Sequence, residues 1–371
     1  MKKWLLSLCM VLALVACKDE KKEATKADVK PLIKFAALYP LSGDGAQYGE
    51  TAQKVAKMFF DDFKQNHPNA KYNYQVIFED VQWSTAKTAS AVKKVINFDK
   101  VSAVFAISSS QGMVINPIAE ENHVIQLSYA VDSNVAKGKY NFTISTSISQ
   151  IADMTIKKMK QHKVKKVAFI TLASDMASIK VAEKIASKLA QNDMENVGEY
   201  KVNPQETDFA IMLEKIRQSA PDIIVFEALP PIGDLVLQRM KLLNINIPVT
   251  GIWTLTTLND KSLAEGAWFV DDGEATQEFV DEYNQKIDTK GTHYGEYMYT
   301  ILTVLTNAFE NTPAPKGQIP DTSAVVETIM NQTKGMNTAL GALDINEEGE
   351  IGLSGTYKQI KDGKIIIELE E

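Results

Sequence analysis

From residue 32 onward the chain alternates short apolar runs with longer segments of helical periodicity, and this alternation restricts the fold more than any other feature. Residues 32–41 form an apolar run that ends in the turn Ser42-Gly43-Asp44-Gly45. Residues 46–65 then carry Val55, Met58, Phe59 and Phe63 at helical spacing. Strand-like alternation over 72–78 precedes a helical segment, 86–98, with Ala89, Val92, Val95 and Ile96 on one face. The apolar run 101–107, the helix 113–122 and the strand 124–127 complete a first series. A second series runs through helix 151–162, strand 166–172, helix 179–189, strand 197–202, helix 209–218, strand 222–226, helix 235–243 and strand 249–252. Strands alternating with helices of this length predict βαβ units and parallel sheets. Two series that part near residue 146 predict an α/β protein of two doubly wound parallel-sheet lobes.

The end of the chain breaks the rhythm. Residues 275–287, 294–309 and 322–331 read as successive helices, the last two separated by the breaker Thr312-Pro313-Ala314-Pro315-Lys316-Gly317. Short strand-like pieces follow at 343–345, 354–360 and 364–369, with turns at Glu348-Gly349 and Asp362-Gly363; Asp-Gly between alternating residues signals a hairpin. A chain that builds one lobe, then a second, then returns crosses between them more than once, which makes a multi-strand hinge. The expected division is 32–145 with 273–353 for lobe 1 and 146–272 with 354–371 for lobe 2. The hinge strands are expected near 142–146, 270–273 and 354–358.

Before residue 32 the chain reads as targeting sequence. Met1-Lys2-Lys3 is a positive start, and residues 4–15 are an almost continuous apolar run. A membrane-spanning helix needs about 20 such residues, so the run suits a secretory signal. It ends in Leu14-Val15-Ala16-Cys17, which looks like a bacterial lipobox. This implies a signal peptide at 1–16, lipid on Cys17, and a tether at 17–31 whose mixed-charge composition cannot bury a core. Removing the first 16 of 371 residues leaves 355, enough for two domains, and the loss of Lys2 and Lys3 takes the net charge from −7 to −9. With no excess of basic charge to neutralise phosphates, nucleic acid is not expected as a partner. Cys9 leaves with the signal and Cys17 is spent on lipid, so no disulfide and no cysteine metal site is expected. His67, His123, His162 and His293 lie far apart without ligand spacing.

Catalysis is not expected either. The serine run Ser108-Ser109-Ser110 sits in no Gly-x-Ser-x-Gly elbow and no histidine follows in a triad-like context. No glycine-rich dinucleotide or phosphate loop occurs. Asp271-Asp272 reads as a solvated turn.

Several segments, in order, resemble the leucine/isoleucine/valine-binding-protein family of type I periplasmic binding proteins. They are Phe35-Ala36-Ala37-Leu38-Tyr39-Pro40-Leu41-Ser42-Gly43 with Ala46-Gln47-Tyr48-Gly49, Glu79-Asp80, Val101-Ser102-Ala103-Val104 leading to Ser108-Ser109-Ser110, Asn141-Phe142-Thr143 at the first crossover, Gly251, Glu265-Gly266-Ala267, and the glycine-rich stretch 341–364. The likeness covers residues 32–365. It implies a ligand cleft between two lobes, no cofactor, and an ABC permease in the inner membrane as receiver.

A strand C-terminus followed by a helix N-terminus offers free backbone N–H groups and a favourable dipole end, and Ser108, Ser109 and Ser110 add hydroxyls to it. The resemblance places Ser109 where the family holds a carboxylate. In the segment Ser128-Tyr129-Ala130-Val131-Asp132-Ser133, either Ala130 and Asp132 or, with one inserted residue, Asp132 and Ser133 take the next ligand positions. An aspartate there would repel a carboxylate and attract an amine; it serves equally to cap the next turn. Tyr48 falls at the family's cleft aromatic. In the second lobe Met176, Glu227, Leu229 and Trp253 occupy the corresponding places. The chain departs from amino-acid binders here: Thr146-Ser147-Ile148-Ser149 stands where an amine-gripping acid is usual, and Trp253 stands at a second acid. Gln82 and Ser108 replace a cysteine pair. The expectation is therefore an extracytoplasmic, lipid-anchored, monomeric solute-binding protein that captures an amino acid or related small organic solute for an ABC importer. The alternative is a ligand-sensing or envelope-enzyme-regulating lipoprotein of the same fold.

Overall fold

The structure, a computed structural model, describes residues 30–287 and 294–368. The signal segment, Cys17, the tether up to residue 29 and His293 lie outside them.

The first series forms β1 (Leu32–Tyr39), α1 (Ala46–Asn66), β2 (Asn73–Asp80), α2 (Thr85–Lys94), β3 (Ala103–Phe105), α3 (Ser109–Asn122), β4 (Ile125–Tyr129) and β5 (Asn141–Ser145). The second forms α4 (Ile148–Gln161), β6 (Lys166–Leu172), α5 (Met176–Leu189), β7 (Glu195–Val202), α6 (Ala210–Ser219), β8 (Ile223–Glu227), α7 (Ile232–Leu242), β9 (Val249–Gly251) and β10 (Trp268–Asp271). The return adds α8 (Gln277–Lys286), α9 (Gly295–Asn311), α10 (Thr322–Gln332), β11 (Asn337–Thr338), β12 (Gly341–Ala342), β13 (Asp344–Ile345), β14 (Glu350–Gly352), β15 (Thr356–Lys361) and β16 (Lys364–Ile367).

Two seven-stranded sheets result, ordered β13-β14-β5-β4-β3-β1-β2 and β16-β15-β10-β9-β8-β6-β7. The sequence predicts parallel sheets, and the centres of both are parallel. Their margins are not: β13 runs antiparallel to β14, β15 to β10, and β16 to β15. A tight turn joins each of the pairs β13–β14 and β15–β16, and such a turn can only reverse the chain.

The apolar runs are continuous because the strands are covered on both faces. In β1, Ile33, Phe35, Ala37 and Tyr39 enter a core with α1 and α9, while Ala36 and Leu38 enter the opposite core with residues of α2 and α3. In β6, Ala168, Ile170 and Leu172 face residues of α6 and α7, and Val167 and Phe169 face α4 and α5. The returning helices are thus structural. Tyr297, Met298, Ile301, Leu302, Leu305 and Phe309 of α9 are fully buried and cover a face of the first sheet that α1 alone leaves open.

Helix starts follow from caps. Side chains of Ser84, Ser108, Ser147, Asp175, Thr276 and Asp321 accept from backbone N–H groups at the starts of α2, α3, α4, α5, α8 and α10. This is why α3 begins at Ser109 and α5 at Met176, a turn earlier than apolar periodicity alone indicates.

Candidate functional site

The chain passes from the first sheet to the second at 146–147, returns at 272–276, and crosses again at 353–355. β5 and β10 each leave the C-terminal end of a parallel sheet directly into the other lobe. The C-terminal edges of both sheets are therefore brought together, which is where open α/β sheets bind ligands.

On the first sheet, Ser108 caps α3: its Oγ accepts from Gln111 N at 3.2 Å and lies 3.0 Å from Gln111 Oε1, to which it donates. Ser110 is exposed, its Oγ 3.2 Å from that of Ser108. Ser109 Oγ accepts from the backbone N–H of Val131 at 3.2 Å and of Asp132 at 3.3 Å. The serine run and the loop after β4 thus form one structure. Ala130 is buried, and its carbonyl accepts from Ser145 Oγ at 2.7 Å. Ser133 is exposed.

Asp132 both caps a turn and pairs with a cation. Its Oδ1 accepts from Asn134 N and Nδ2, and its Oδ2 accepts from Lys180 Nζ on α5. Burial pushes this carboxyl upward, but the hydrogen bonds from Lys180 and Asn134 pull harder, and it titrates below the ordinary aspartate value. Beside this pair lies an open groove of about 850 Å³ whose walls include Asp132, Ser133, Ser147, Lys180 and Lys184. Asp132 and Ser133 are the two predicted site residues in that wall.

Tyr48 belongs to an aromatic cluster. Trp83 meets it edge-on at 5.7 Å between centroids, Tyr294 lies 5.7 Å away, and Tyr129 lies tilted against Tyr294 and Tyr297 at 5.3 and 4.4 Å. Trp83 has φ +57° and is 40% exposed. Gly45 makes room for it, since a Cβ there would stand 2.3 Å from the indole nitrogen. The hydroxyl of Tyr129 reaches the crossover, donating to Asp272 Oδ2 at 2.5 Å. Asp272 Oδ1 also accepts from Thr146 N at 3.0 Å. The solvated turn expected at 271–272 is therefore corrected. Asp272 is buried because two crossovers pack over it, and burial, with Asp271 beside it, raises its carboxyl to about 6 despite those hydrogen bonds. Asp271 pairs with Lys358 at 2.7 Å.

On the second sheet, Met176 opens α5 and is 60% exposed, so it does not pack in a core. Leu229 and Trp253 are half-buried against the cores on either face. Glu227 ends β8 with no exposed surface, and its Oε2 accepts from Thr254 Oγ1 at 2.8 Å. Burial holds this carboxyl well above the ordinary range against that hydrogen bond, and Asp175 adds to the rise. Lys180, Trp83 and Asp272 were not singled out by the sequence. No local signal marks the first or last, whereas an aromatic three residues beyond the end of the second strand could have drawn attention to Trp83. Among the described residues no cluster of metal-ligating side chains occurs, and no helix is long and apolar enough to cross a membrane.

The family model of the periplasmic binding proteins matches residues 32–357. The chain belongs to that family. Solved structures similar to this periplasmic binding protein include the leucine-binding protein LivK of Thermotoga maritima, at 20% identity and a TM-score of 0.76, covering 91% of this chain and 98% of that one. The isoleucine complex of LivJ from Streptococcus pneumoniae matches at 18% identity and TM-score 0.73, over 90% and 97% of the two chains. A benzoate complex of an ABC-transporter solute-binding protein from R. palustris matches at 15% and 0.73, over 91% and 95%. No match is found among the curated proteins. Membership gives an extracytoplasmic solute-binding protein rather than an enzyme.

Proposed function

We propose that this periplasmic binding protein captures a small organic solute between its lobes and delivers it to an ABC permease, held at the membrane by lipid on Cys17 and acting as a monomer. The observation that carries the reading is the meeting of the two C-terminal sheet edges: the loop after β4 and the start of α5 approach closely enough for Asp132 and Lys180 to pair. Solutes bound by such an arrangement touch both lobes at once. The similar structures hold ligands as different as isoleucine and benzoate, so the fold alone does not choose between them. The exposed Met176, half-buried Trp253 and the Tyr48–Trp83 pair supply apolar surface for an aliphatic or aromatic body.

The test is a thermal-shift screen of the mature protein against amino acids, their amides, short-chain acids and aromatic acids. A rise in melting temperature with one chemical class is expected. No shift with any of them would remove solute capture and leave the sensing or enzyme-regulating alternative. The anchor is tested separately. Cys17→Ser is expected to abolish metabolic labelling by a fatty acid, and undiminished label would rule the lipobox out.

A further inference from the structure

We propose that Lys180 is a specificity-determining residue: by occupying Asp132 it supplies from within the chain the cation that an amino-acid ligand would bring, so the site takes carboxylates that carry no amine. This rests on the solute-capture reading and narrows its substrate class.

Both oxygens of Asp132 are taken, one by Asn134 and one by Lys180. A ligand ammonium would have to expel Lys180, exchanging one ion pair for another and leaving the lysine unpaired. The other acids at the strand ends are committed too. Asp175 accepts from Ala177 N, Ser178 N and Ser178 Oγ, and Asp272 from Tyr129 and Thr146. Glu227 is fully buried. Of the other acids lining the groove, Glu183, Glu347 and Glu348 are solvent-exposed, where a charge pair contributes little, and half-buried Glu350 accepts from Asn346 Nδ2 at 2.6 Å. Donors are better placed. Lys180 has three N–H bonds and lines the groove, so its pairing with Asp132 leaves capacity for a second anion. Ser109 Oγ accepts two N–H bonds, and its own O–H remains a donor. Ser109 also reaches the backbone of Asp132, so the hydroxyl and the ammonium border the same loop.

The experiment compares ligands matched in carbon skeleton: leucine with 4-methylpentanoate, and phenylalanine with 3-phenylpropanoate. Each is titrated calorimetrically into the wild type, Lys180→Met, and the double variant Lys180→Met/Asp132→Asn. The wild type is expected to prefer the amine-free acid of each pair by at least tenfold. Lys180→Met frees Asp132 and should move that ratio at least tenfold toward the amino acid; adding Asp132→Asn should abolish the gain. If Lys180→Met fails to fold around its unpaired carboxylate, the double variant, which leaves no charge at the pair, should still lose the wild-type preference. Wild-type binding of amino acids as tight as of the matched acids, or an unchanged ratio in the variants, overturns the inference. If another solute in the wider screen binds best and bears an amine, the inference falls while solute capture stands. If nothing binds, both fall.

Discussion

Ser109 Oγ is the acceptor for two backbone N–H groups of the loop after β4, and it is also the hydroxyl expected to meet a ligand carboxylate. From sequence, Ser109→Ala should weaken binding while sparing the empty protein. The structure adds a stability cost, because Val131 N–H and Asp132 N–H lose their acceptor. An unsatisfied buried donor costs about 1–3 kcal/mol, so a loss of that order is expected in urea unfolding. Binding should weaken about tenfold to a hundredfold, as for loss of a charge-assisted hydrogen bond. Unfolding that matches wild type would show that the loop holds itself without Ser109. The serine run was legible because everything that defines it is local: an apolar strand, three hydroxyls, then helical spacing. The partner of Asp132 was not, because Lys180 lies 48 residues away on a helix in the other lobe, and nothing in its neighbours distinguishes it from the lysines around it.

The crossovers decide what the strands and helices can do. Asp272, between β10 and α8, binds the ends of β4 and β5 through Tyr129 and Thr146 and thereby ties all but the last crossing together. Its carboxyl is raised by burial from 3.8 to about 6. A raised value means that the folded protein holds this proton more tightly than the unfolded chain. The stabilisation is fully present below about 4, is lost as pH rises through about 6, and is absent at neutral pH, where the carboxylate is ionised in a buried place. Two units correspond to about 3 kcal/mol. Asp272→Asn keeps an acceptor for Thr146 N–H and a donor for the Tyr129 oxygen but cannot ionise. It should therefore equal or exceed the wild type in urea midpoint at pH 7.5, and lose the wild type's decline between pH 4 and 6. An identical pH profile in both proteins would assign that decline to other groups. The elements themselves were mostly legible, since strands buried on both faces spell out apolar runs and amphipathic helices spell out periodicity. β14, of three residues, was not, nor was the burial of Asp272. Both depend on which segments return to the hinge, and a local window carries no trace of that.

At the scale of the molecule, each lobe is a sheet sealed on both faces by helices, with fully buried cores on either side. Close-packed layers of this kind move as units. Displacement therefore concentrates in the three crossovers, which is the geometry of hinge closure around a ligand. Saturating ligand should lower the radius of gyration in X-ray scattering, and an unchanged profile would count against a closing cleft. Away from the crossovers, the Asp132–Lys180 pair joins the lobes through groups of the chain itself, with Asp132 well buried and Lys180 about a third exposed. It therefore biases the empty protein toward closure, by an amount that salt cannot fully screen at the buried aspartate. Lys180→Glu places two like charges where an ion pair stood and leaves the cores and all three crossovers intact. The ligand-free variant should scatter as a more open particle than the ligand-free wild type, and the difference should shrink in high salt as the repulsion is screened. Equal radii for the two empty proteins would mean that the crossovers alone set the angle between the lobes and that the pair acts on the ligand rather than on the hinge.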